Sequence, residues 1–169
     1  QTDDTWGAPV NLSRSGAAEA PVLLTSSTGA VQAFWWDRFD GITTSIFDPE
    51  TGLWSDPTAA TIEITTILGE GENAQVLISP IAAMPDIVGV GELAYAFWLG
   101  APDEETGLRP LLLSRLRLGT DGWTDPEEMA ESAAAWALAG VGETAHLVYA
   151  RPTETEAFPA GLYYKRSTD

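Results

Sequence analysis

The chain has 169 residues, enough for one domain with its own core, and 44% of them are hydrophobic, which separates it from disordered chains despite a formal charge of −17. The excess of 25 acidic over 8 basic residues argues against nucleic acid as a partner and disfavours an anionic membrane surface, while cations and neutral polar ligands such as sugars stay open. Cysteine is absent, which removes disulfides, a thiol nucleophile and thiolate metal sites, and no run reaches the length needed for membrane insertion.

Reading from the N-terminus, Thr5-Trp6-Gly7-Ala8-Pro9 sets a tryptophan among turn residues, and 5–15 reads as a displaced outer strand. Residues 20–68 form a first unit. It opens with an apolar strand from Pro21 and a glycine-containing turn. A second strand follows, in which Val31, Ala33 and Trp35 share one face and Gln32, Phe34 and Trp36 the other. Two apolar faces suit a strand held between neighbouring sheets. A third strand starts at Gly41, and Gly52-Leu53-Trp54-Ser55-Asp56-Pro57 leads to an outer strand. Thr61–Ile67 is a further β-rich run, and Gln75–Ser79 another beyond the polar loop 69–74.

Residues 75–134 form a second unit of the same plan, with strands over Pro85–Gly100 and Leu108–Arg117 and the tryptophan turn returning as Gly122-Trp123-Thr124-Asp125-Pro126. Asp125–Trp136 reads as a short helical turn or an irregular connection, with Asp125 as N-cap and Pro126 at the first helical position. Residues 135–169 form a third unit, incomplete because no Trp-x-x-Pro follows Gly161–Ser167. Repeats of this length built from four short antiparallel strands predict an all-β fold, a β-propeller with about three blades in this chain. Three blades do not close a ring, so the segment is expected to be completed by further chain or by another subunit. Two copies, each lending Trp6–Leu12 to the other, make six blades.

The tryptophan turns carry a resemblance. Ser45, Asp48, Gly52 and Trp54 resemble the Ser-x-Asp-x-Gly-x-x-Trp box of sialidase-like (BNR/Asp-box) β-propellers, with two additional positions. Ser114, Asp121, Gly122 and Trp123 resemble it with different spacing before the turn. The resemblance implies blades whose boxes are structural, and it extends that role to Trp6, Pro9, Pro57 and Pro126. It also implies, for the enzymes of that family, an arginine triad, a Tyr–Glu nucleophile pair and an aspartic acid/base. The Arg-Ile-Pro motif that supplies one of those arginines does not occur here.

Few residues point to chemistry on their own. Asp37 and Asp40 flank Arg38 and Phe39 in a loop after Trp35-Trp36, the composition of a sugar subsite and also of an ordinary polar hairpin. Trp98, Asp103 and Arg151 occupy comparable strand ends in the later units. Asp103-Glu104-Glu105 and Asp48-Pro49-Glu50 cluster oxygen ligands without EF-hand spacing, so calcium stays unassigned and no cofactor is implied. His146 is a lone strand histidine. The expectation is a non-enzymatic module, extracellular or cell-surface, that binds or assembles with itself or with further blades. The alternatives are a glycan-binding lectin using Trp36, Phe39 or Trp98 with Asp37, Asp40 or Asp103, and a portion of a sialidase-like glycoside hydrolase.

Overall fold

The structure, a computed structural model, describes residues 6–68, 75–155 and 158–167. Among them there is no helix, and every strand pairing is antiparallel. The first sheet holds β1 (Ala18–Thr25), β2 (Val31–Asp37) and β3 (Gly41–Asp48), with the short β4 (Leu53–Trp54) and β5 (Thr58–Ala59) both on the far side of β3. The hairpin β6 (Glu63–Leu68) and β7 (Gln75–Pro80) follows. The second sheet runs β8 (Asp86–Val90), β9 (Leu93–Leu99), β10 (Leu111–Arg117) and β11 (Glu127–Ala130). The third sheet has β12 (Ala135–Val141), β13 (Thr144–Arg151) and β14 (Gly161–Arg166), and among the described residues nothing pairs with the free side of β14.

Alternation along β9 explains how the sheets pack. Ala94 and Ala96 point into a core shared with Leu24, Phe34 and Ile42 of the first sheet. Tyr95 and Phe97 point the other way, into a core shared with Ala145, Leu147 and Tyr149 of the third. The middle sheet is therefore covered on both faces, and its period-2 pattern is apolar on each. Burying a phenylalanine such as Phe34 or Phe97 contributes about 1.5–3 kcal/mol.

Edge strands of neighbouring sheets approach closely where glycine recurs. A Cβ added at Gly140 in β12 would lie 3.0 Å from Val90 Cγ2 and 3.2 Å from the Gly89 carbonyl oxygen in β8. One polar side chain also ties sheet to sheet. Gln32, fully buried in β2, donates to Thr44 Oγ1 (2.9 Å) and to the Thr120 carbonyl (2.7 Å), and its Oε1 accepts the Gly119 N–H (2.8 Å).

Two expectations change. Asp125–Trp136 is not a helical turn, because Glu127–Ala130 pairs with β10 and buries Ala130; edge pairing outweighs the helix preference of its Glu, Met and Ala residues. The runs at Thr61–Ile67 and Gln75–Ser79 pair with each other as the β6–β7 hairpin, across the boundary expected between units. Residues 6–17, where a strand lent to another blade is expected over 5–15, form no strand among the described residues.

Candidate functional site

The tryptophan turns share one construction. Trp54 pairs with Phe47, and Trp123 with Leu116, so each tryptophan already stands in the outer strand. The ladder then breaks and resumes beyond Pro57 and Pro126, which have no N–H to donate. Across the break, the hydroxyl of Ser45 donates to the Ser55 carbonyl (2.9 Å), and that of Ser114 donates to the Thr124 carbonyl. Ser55 Oγ in turn accepts the Ile46 N–H, and Thr124 Oγ1 the Arg115 N–H.

The turns ahead of the tryptophans differ. Asp48 accepts from the Thr51 hydroxyl (2.7 Å) and the Glu50 N–H (2.8 Å), which hold its carboxyl below the usual aspartate value, and Gly52 takes φ 70°. In the second sheet Arg117 stands where Asp48 does, and Gly119 carries the positive φ. Asp121 and Gly122 lie past that turn, exposed. Trp123 packs 5.8 Å from the Phe34 ring of the first sheet, whereas Trp54 packs 5.5 Å from its own neighbour Phe47. Trp6 is 100% exposed, and Pro9 is exposed beside it.

The candidate ligand residues divide. Asp37 is buried at the end of β2, bonded to the Ser15 hydroxyl and the Phe39 N–H; these bonds hold its carboxyl below the ordinary range. Arg38, Phe39 and Asp40 form the β2–β3 turn and are exposed, Phe39 at 83%. Asp103 accepts from the Thr106 N–H and hydroxyl and from the Glu105 N–H, so its carboxyl, also held low, closes its own loop. Arg151 is buried; its Nη2 donates to Glu131 (3.0 Å) and Thr155 (3.2 Å), and its guanidinium lies 5.0 Å from the Phe158 ring centroid. Among the described residues no group of three or more Asp, Glu or His side chains is arranged to hold a metal ion.

Trp36 and Trp98 do reach a common feature. Three adjoining clefts, of about 650, 430 and 350 Å³, meet at Met84 in the loop between β7 and β8. Trp36 borders the smallest, Trp98 the largest, and Trp136 of β12 the two larger ones. Each partly buried tryptophan comes from a different sheet. Glu19 and Asp86, at the starts of β1 and β8, supply carboxylates. Arg109 lies on the rim, its Nε donating to the Gly100 carbonyl (2.9 Å). A bulge between Glu19 and Val22 puts Ala20 at φ 50°, the left-handed region that alanine avoids, on this wall. The residues that sequence reading missed, Trp136, Glu19, Asp86 and Arg109, converge only through sheet packing. No protein-family model, curated protein or solved structure matches the chain.

Proposed function

We propose that the three sheets are consecutive blades of a β-propeller and that the chain is a non-enzymatic, extracellular module whose role is binding and assembly. One observation carries this reading. The second sheet presents Phe97 and Leu113 to the third, which covers them. The matching face of the third sheet carries Val148 and Tyr164 at corresponding strand positions, and Leu162 and Tyr164 on it are 76% and 57% exposed. A repeating packing scheme is thus left unfinished on one side, and among the described residues β14 offers an unpaired edge, which proteins usually cover or blunt. The Asp-box-like turns, the inner glycine contact and the exposed Trp6-Gly7-Ala8-Pro9 segment support the same reading. Completion comes from further blades, in a second copy or in additional chain.

Negative-stain electron microscopy of the native protein tests it. The expected outline is a closed ring of more than three blades around a central channel. An open stack of sheets, together with a monomeric molar mass in sedimentation, rejects the ring.

A further inference from the structure

We propose that the three-tryptophan trough binds an extended neutral oligosaccharide. Ring closure is not a premise, since every wall named below is made of described residues of this chain. Trp36, Trp98 and Trp136 border adjoining clefts that share Met84, so the aromatic rings are distributed along a path and not gathered around one point. The clefts are open to solvent along that path, which suits a chain of linked rings better than a compact apolar molecule requiring enclosure. Rings with an apolar face and a hydroxyl rim match such a surface, because each tryptophan offers apolar area without demanding a charged partner.

The polar groups fit hydroxyls. Among the described residues the Asp86 and Glu19 carboxylates accept no hydrogen bond, and both stand at the trough as exposed acceptors. Glu19 is the cross-strand neighbour of Trp36, so an aromatic and an acceptor sit side by side. Arg109 is fixed to the Gly100 and Leu99 carbonyls and keeps further N–H groups for a ligand oxygen. The net charge of −17 and the two carboxylates repel polyanions, which selects neutral over acidic chains. The strained Ala20 gives the wall a conformation that local preference opposes, and such strain gathers at binding sites.

Isothermal titration calorimetry with cellohexaose, xylohexaose and mannohexaose tests this, with the hexamer of galacturonic acid as an anionic control. At least one neutral hexasaccharide binds, and the anionic one does not. Trp136→Ala and Asp86→Asn each weaken binding by about fivefold or more. Phe39→Ala, outside the trough, leaves it unchanged. Asp86 is exposed, so its asparagine variant keeps the fold and reads the site alone. Absence of binding by all three neutral chains, equal binding of the anionic one, or binding unaffected by Asp86→Asn overturns the proposal.

Discussion

Glu92, in the turn between β8 and β9, grips the turn between β1 and β2. Its Oε1 accepts the Ser27 hydroxyl (2.5 Å) and the Thr28 N–H (3.1 Å), and its Oε2 accepts the Thr28 hydroxyl (2.8 Å). The Ser27 bond first, then those of Thr28, hold the carboxyl below its ordinary value of 4.5. A carboxylate depressed in the folded state stabilises fully above its unfolded value, and that contribution is lost as pH falls through the lower folded one. Acid also relieves the self-repulsion of a chain with charge −17, which acts in the opposite direction. The difference between wild type and Glu92→Gln separates the two effects, because repulsion is nearly common to both. Urea midpoints measured as pH falls below 4.5 are expected to converge, the wild type losing its advantage over the variant. Parallel curves would show that Glu92 contributes no pH-linked stability. Asp37, Asp48 and Asp103 are held low in the same way by their own turns, and their titration cancels in this comparison.

At the scale of the element, β8 and β12 pack closely against each other. Gly140→Ala drives a methyl group to 3.2 Å from the Gly89 carbonyl oxygen, a backbone atom that moves only with its strand. Overpacking of this kind costs about 1–3 kcal/mol, whereas Gly122→Ala, with open space around the new methyl, changes stability by less than about 0.5 kcal/mol. Thermal melts of the two variants check this, and equal melting temperatures would contradict it. Most strands were legible because apolar alternation is local: β2 and β9 announce two buried faces through Ala33–Trp36 and Ala94–Phe97. β11 was legible only as the outer strand due after the Trp123 turn, while the helix preference of Glu127, Glu128 and Met129 pointed the other way until β10 provided an edge. The β6–β7 pairing was hidden by its crossing of the repeat boundary. Of the trough, Trp36 and Trp98 were readable as aromatics at strand ends. Trp136, Glu19 and Asp86 were not, since their proximity depends on how three sheets stack.

For the whole molecule, the uncovered face of the third sheet decides what the chain requires from outside. Tyr164 and Leu162 stand in β14 with Val148 behind them in β13, an apolar surface on a molecule otherwise saturated with acid. If this face is a solvent surface in the native protein, Leu162→Glu, at a side chain 76% exposed, changes stability by no more than about 0.5 kcal/mol and leaves molar mass untouched. If another blade covers it, the new carboxylate is driven into an apolar contact, a burial that costs several kcal/mol unless the charge finds a partner. A covering second copy then dissociates more readily, by about tenfold for each 1.4 kcal/mol lost. A covering segment of the same polypeptide converts the same cost into a lower melting temperature at unchanged molar mass. Salt provides an independent axis. Two copies at −17 each repel over roughly 8 Å at physiological ionic strength, so pairing between them tightens as sodium chloride is raised, while an intramolecular cover responds only through general screening. Sedimentation velocity across a salt series, run beside thermal melts of Leu162→Glu, reads both outcomes. A variant indistinguishable from wild type in mass and melting at every salt concentration removes the case for any covering blade.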